Sequence, residues 1–215
     1  PPVEPLLWRS LLAFYYPLVL MSILGSAVLP LVSLALGQAR EPLASLAVFP
    51  VVLAFGFLFR SLAISFQEVA IALLGERHEG YDGLRRFALY LAAGMLATLA
   101  LIAFTPLAHL TFEHVLGLPP PLAELAVPSF QITILYPSLT VWSIWQRALM
   151  VHGRRTGPIT VAVAVELMGT CLLLYVTIHM LALIGTEAAA WSLVLGGLLG
   201  PLLGGGFRFV FPANN

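Results

Sequence analysis

The chain has 215 residues, of which 60% are hydrophobic and only 9% are charged, and its mean hydropathy is +0.98. Average soluble domains carry about 25% charged residues, so this composition cannot cover the surface of a soluble protein. Ten basic residues, all arginine, balance ten acidic ones, which excludes the basic excess of a nucleic-acid-binding protein. We therefore expect an integral, multi-pass protein of a lipid bilayer, of the bacterial inner-membrane or plasma-membrane type.

Apolar segments of bilayer-crossing length recur along the chain, and each needs about 20 predominantly apolar residues. We predict one transmembrane domain over residues 1–215, an all-α bundle of six helices. The predicted spans are residues 10–36, 43–74, 87–110, 122–149, 158–183 and 187–209. The second span has two interpretations. It is either one tilted helix, or a crossing that ends near Arg60 and continues as a helix at the interface.

The arginines are distributed unevenly between the two ends of the predicted spans. If the N-terminus is cytoplasmic, only Arg40 lies outside, and Arg60 lies within or near the membrane. The cytoplasmic side then carries Arg9, Arg77, Arg85, Arg86, Arg147, Arg154, Arg155 and Arg208. Because cytoplasmic loops of membrane proteins are enriched in basic residues, we predict that both termini are cytoplasmic.

Several short stretches occur in an order that is typical of one family. They are YPLVL at 16–20 with LVSLALG at 31–37, PLASLAVFP at 42–50, GLPPPLAELA at 117–126, and HGRRTGP at 152–158 with GTEAAA at 185–190. Together they resemble one six-helix lobe of the multidrug/oligosaccharidyl-lipid/polysaccharide (MOP) flippase superfamily. This superfamily includes MATE-type exporters, polysaccharide flippases and progressive-ankylosis-type transporters.

The resemblance implies transport, because family members hold a substrate cavity between two such lobes, in a chain of about twice this length. One lobe alone has nothing to move against. The implied function is a half-size, MATE-like lobe that moves an amphipathic or anionic solute when paired with a copy of itself or a sister chain. The alternative is a non-catalytic subunit that stabilises a larger respiratory or photosynthetic complex. Since the chain begins with Pro1 rather than Met, we expect a processed product or part of a longer reading frame.

Ionisable residues within the spans are the candidates for substrate binding, since each costs roughly 2.5–3.5 kcal/mol to insert. They are Arg60 and Glu68 in the second span and Glu166 in the fifth. Arg60 and Glu68 are expected on one helix side with backbones about 12 Å apart. Arg60, or the segment after it, is expected at the depth of Glu166. Two interpretations stay open: a gated ion pair or proton-linked site facing a cavity, or a static pair in which Arg60 snorkels and Glu68 lies at the interface.

Enzyme and metal motifs are absent from the sequence. It contains no phosphate-binding glycine loop, no G-x-S-x-G elbow and no H-E-x-x-H. We therefore expect no catalytic residue, no metal site, no cofactor and no nucleic-acid partner. Small residues allow helix backbones to approach closely. A close helix–helix contact is accordingly predicted for the last span, at Gly196, Gly197, Gly200, Gly204, Gly205 and Gly206.

Overall fold

The structure is a computed structural model, and it describes residues 8–73, 81–152 and 157–203. These ranges are helical nearly throughout, and within them the β-type pairing is one isolated bridge between Arg40 and Ile184. The predicted all-α class is thereby confirmed. Among the residues that the structure describes, three helical segments are long and apolar enough to cross a membrane, namely Pro42–Ala70, Asp82–Ala103 and Val161–Met180.

The helices follow the predicted spans in chain order. They are α1 (Trp8–Leu36), α2 (Pro42–Leu73), α3 (Tyr81–Ala103), α4 (Leu107–Leu110), α5 (Pro120–Thr133), α6 (Leu135–His152), α7 (Gly157–Tyr175) and α8 (Gly185–Leu203). Turns of π-helix, Thr111–Val115 and Val176–Met180, follow α4 and α7. The membrane-length segments lie in α2, in α3 and in α7 with its π-turn. That α1, the α5–α6 pair and α8 also cross a membrane stays a prediction.

Proline explains where the third helix ends, but it does not interrupt the second. The third helix ends at Ala103, short of the predicted residue 110, because Pro106 has no backbone N–H and disfavours a helical conformation at Thr105. The carbonyl of Ala103 instead accepts a hydrogen bond from Gln131 Nε2 at 3.0 Å. By contrast, α2 is one continuous helix that passes through Pro50, which agrees with the single-helix interpretation of the second span.

The fourth predicted span is divided into α5 and α6 at Ile134. In a continuous helix the N–H of residue 137 would bond to the carbonyl of Thr133, and Pro137 has no N–H to donate. The helix is therefore interrupted in the middle of the predicted span. Thr133 donates its own hydroxyl to the Ser129 carbonyl at 2.7 Å.

Three connections lie together at one end of the helices. The Gly185 N–H donates to the Arg40 carbonyl at 3.4 Å, so the α1–α2 and α7–α8 turns are in contact. The connection between α3 and α5, which includes α4 and the first π-turn, lies at the same end. Val48, near the start of α2, belongs to one buried cluster with Phe112 of that π-turn and Ala123 of α5. These are the connections that the sequence places outside the membrane. Which side this end faces stays a prediction.

The π-turns end in the same way, each with one residue in the left-handed conformation. Gly117 has φ +71° and Ala182 has φ +47°. In both turns a backbone N–H reaches back six residues, from Leu118 to Phe112 at 2.9 Å and from Leu183 to Thr177 at 3.2 Å. Glycine adopts this conformation without steric cost, whereas the Cβ of alanine meets a carbonyl oxygen.

Opposite effects are therefore expected for exchanging these two residue types. Ala182→Gly should stabilise the protein by about 1 kcal/mol, and Gly117→Ala should destabilise it by about 1 kcal/mol. The measurement is the thermal unfolding midpoint of each variant in one detergent. Equal shifts of the same sign would contradict the assignment of a shared left-handed cap.

Candidate functional site

A cavity of about 610 Å³ lies between α1 and α2. It arises because these two helices pack mainly on different partners: α1 on α7, and α2 on α6 and α5. The rest of the wall comes from the α5–α6 junction, from α7 and from α8. The volume falls within the range of about 300–1,000 Å³ that is typical of small-molecule sites.

The α1 wall combines small side chains with two aliphatic ones. Its lining residues are Ser22, Gly25, Ser26, Val28, Leu29 and Ser33. Four of them, Ser22, Ser26, Leu29 and Ser33, are three or four residues apart and so lie on one helix face. The wall extends from Ser22 to Ser33, a rise of about 17 Å. That is roughly half of a hydrocarbon core of about 30 Å. The cavity is therefore long enough for a solute with an extended apolar part.

The facing wall of α2 is mostly apolar and ends in a cation. Its lining residues are Phe49, Pro50, Leu53, Ala54, Gly56, Phe57 and Arg60. Ala54 and Phe57 are exposed, as is Ser26 across the cavity, so the space is accessible from outside the isolated chain. The cavity thus joins a long apolar surface to one guanidinium group.

Arg60 is half-buried, and its Nε atom is fully buried without a hydrogen-bond partner among the described residues. Its guanidinium carbon lies 5.1 Å from the centre of the Tyr136 ring. A desolvated cation–π contact of this kind contributes about 2 kcal/mol, which offsets part of the cost of placing the charge in apolar surroundings. The tyrosine therefore both holds the guanidinium at the wall and lines the cavity itself.

The α5–α6 break explains why Tyr136 reaches the cavity. Thr133, Tyr136 and Pro137 all line it, and they lie on either side of the interruption at Ile134. We did not predict Tyr136 as a site residue. A signal was present in the sequence, since a Tyr-Pro pair in the middle of an apolar span is typical of a helix break with a polar group beside it.

Glu166 of α7 lines the same cavity as Arg60. It is half-buried, and its backbone carbonyl accepts the Thr170 hydroxyl at 2.8 Å, within α7. The structure therefore brings two of the three predicted site residues to one space, on helices that are distant in sequence. The cavity lining thus carries one basic and one acidic side chain.

Glu68 does not belong with the other two. It is exposed and lies outside the cavity lining. The expectation that it shares a helix side with Arg60 is corrected by helix geometry. Eight residues at about 100° each leave a rotation of about 80°, and a rise of about 12 Å carries Glu68 beyond the end of the cavity.

In comparisons with known proteins, no family model, no curated protein and no solved structure matches this chain. The resemblance to the MOP superfamily rests on the sequence motifs alone. Within the described ranges, no three His, Cys, Asp or Glu side chains are placed to hold a metal ion. The cavity lining combines apolar walls, hydroxyl groups, one guanidinium and one carboxylate.

Proposed function

We propose that the chain is a half-size transporter lobe, which binds an amphipathic anion in the cavity between α1 and α2 and moves it when paired with a second lobe. The observation that carries this proposal is the position of Arg60 in the wall of a largely apolar cavity of about 610 Å³. A guanidinium in apolar surroundings is costly unless a counter-charge compensates it. Glu166 lines the same cavity, a bound anion adds counter-charge beside Arg60, and the walls of α1 and α2 suit the apolar part of that anion.

The need for a second lobe follows from the exposure of the cavity. Ser26, Ala54 and Phe57 line it and are exposed in the single chain. Alternating access requires two bundles that move about a shared site. A second copy or a sister chain placed against α1 and α2 would close the cavity on that side.

Arg60→Ala is expected to weaken the binding of an anionic amphiphile about tenfold, because a charge-assisted contact contributes about 1.5–3 kcal/mol. The probe is dansyl-labelled undecanoate, and its fluorescence is titrated against the purified protein in nanodiscs. Arg86→Ala is the matched control, since Arg86 is exposed on α3 and lies outside the cavity. Glu166→Gln should tighten binding because it removes a like charge from the cavity.

Equal affinities of the wild type and Arg60→Ala would remove Arg60 as the anion-binding residue and contradict the proposal. Uptake of the same probe into proteoliposomes then tests movement as distinct from binding. The mass of the particle extracted in mild detergent tests the pairing. A dimer of six-helix lobes supports it, whereas a many-subunit particle without probe binding favours the alternative role of a stabilising subunit.

A further inference from the structure

A second, smaller recess of about 150 Å³ lies between α3 and α6, and it shares no lining residue with the α1–α2 cavity. The residues from α3 are Arg85, Ala88, Leu89 and Ala92, and those from α6 are Ser138, Val141, Trp142 and Trp145. Both sets have the spacing i, i+3, i+4, i+7, so each forms one helix face. We call this recess the α3–α6 groove.

The pairing of the two faces is set by one hydrogen bond. The Ser138 hydroxyl donates to the Ala92 carbonyl at 3.1 Å. Because α3 and α6 run in opposite directions, Trp142 then lies opposite Ala88, and Trp145 lies opposite Arg85. Seven residues of rise give the groove a length of about 10 Å. One end of the groove lies at Ala92 and Ser138, and the other end, at Arg85 and Trp145, is aromatic and cationic.

The two tryptophans have different roles in the groove. Trp145 is 2% exposed and stacks on Phe66, with ring centres 6.4 Å apart, so it is part of the helix packing. Trp142 is 41% exposed and forms the rim. Indole rings favour the headgroup level of a bilayer. The rim at Trp142 is therefore suited to the boundary between acyl chains and headgroups.

The open side of the groove faces the apolar exterior of the protein. Leu89, at its rim, is 53% exposed, and its neighbours Phe87 and Tyr90 are 53% and 76% exposed. Arg85 and Arg86 are exposed and lie in the first two turns of α3. The exposed apolar residues follow directly after them along the helix. An occupant must therefore present an anion at one end and a hydrocarbon chain along α3.

We propose that the α3–α6 groove binds one anionic phospholipid of the surrounding leaflet. The phosphate contacts Arg85, the ester region lies beside Trp142, and the upper part of one acyl chain lies over Ala88 and Ala92. Charge complementarity selects this occupant, because a guanidinium recognises a phosphate through paired N–H donors. Asp82 is exposed one turn before Arg85 and is the like charge that limits the affinity.

The proposal is tested by tryptophan quenching in phosphatidylcholine nanodiscs that contain a small fraction of phosphatidylglycerol brominated on its upper acyl carbons. Bromine quenches nearby indoles, and we expect stronger quenching than with brominated phosphatidylcholine at the same fraction. The excess quenching should be lost in Trp142→Phe. Arg85→Gln should weaken the apparent affinity about tenfold, whereas Arg86→Gln, with the same net charge, should weaken it no more than about fivefold. Asp82→Asn should strengthen it.

Equal effects of Arg85→Gln and Arg86→Gln would show diffuse attraction to the surface charge and would overturn the assigned site. Equal quenching by the two brominated lipids would overturn the selectivity for an anion. Each variant must keep a thermal unfolding midpoint within the wild-type range. Arg85→Lys is a second variant, which keeps the positive charge but loses the paired N–H donors of the guanidinium. The outcome is independent of the α1–α2 cavity, so Arg60→Ala should leave the quenching unchanged.

Discussion

Replacing Gly196 with leucine is expected to prevent α7 and α8 from packing, with loss of most of the monodisperse protein. A Cβ atom at Gly196 would lie 3.1 Å from the Thr170 Cα and would overlap the Thr170 hydroxyl oxygen. The same two helices also approach closely at Gly169, where a Cβ would overlap the end of the Leu199 side chain. Even one extra methylene in a packed core costs about 1–3 kcal/mol, and a leucine adds several at a position where backbone is the neighbour.

The matched control is Gly94→Leu on α3. Gly94 is exposed, and a Cβ there would meet nothing within 4 Å. This change should leave the protein as stable as the wild type, or more stable by up to about 1 kcal/mol, because leucine has the higher helix propensity. Size-exclusion chromatography after heating measures both variants. A Gly196→Leu protein that elutes and unfolds like the wild type would disprove the close α7–α8 approach.

Phe112→Ala is expected to destabilise the protein by about 2–3 kcal/mol. Phe112 is fully buried, and its ring meets those of Phe55 and Phe130 edge to face, with centres 6.2 and 5.4 Å apart. In soluble cores the loss of a phenylalanine ring costs about 3–5 kcal/mol. The smaller value is expected here because lipid is as apolar as the protein interior, so that lost packing contacts and the remaining cavity account for the effect.

Phe104→Ala is the control. Phe104 directly follows α3, in the same connection as Phe112, but it is 66% exposed. Its removal should change the thermal unfolding midpoint by an amount that corresponds to less than about 0.5 kcal/mol. The unfolding midpoint in one detergent is the measurement. Equal losses of stability in the two variants would show that the cluster of Phe55, Phe112 and Phe130 does not hold α2 against the connection between α3 and α5.

The helical class and the extent of the second span followed from composition and hydrophobic length, because both depend on local sequence. The end of the third span and the interruption within the fourth did not follow. Runs of apolar residues predicted continuous helices, and only the backbone placed the interruptions near Pro106 and Pro137. Proline is also compatible with an uninterrupted helix, as the course of α2 through Pro50 shows. The presence of a proline in an apolar run therefore does not by itself tell where a helix is interrupted.

The candidate site divided in a similar way. Arg60 and Glu166 were selected because ionisable groups are expensive within apolar spans, and the structure places both in one cavity. Glu68 was selected by the same rule but lies outside the cavity. The rule considers the free energy of placing an ionisable residue in an apolar span, and it does not say towards which side of the helix the residue points. Tyr136 was missed for the opposite reason, since its ring costs little in a bilayer and its role appears only through its 5.1 Å contact with Arg60.

By itself, the sequence determined that this protein is helical, that it is too apolar for a soluble surface, and which few charges must be accommodated within apolar helices. These properties are sums over local residues, so they do not depend on how the helices pack. The tertiary structure alone decided that α1 and α2 stand apart with a cavity between them, and that α3 and α6 form a groove with Arg85 at one end. Both spaces arise from contacts between residues far apart in the chain, and the shape of such a space is a property of the packing.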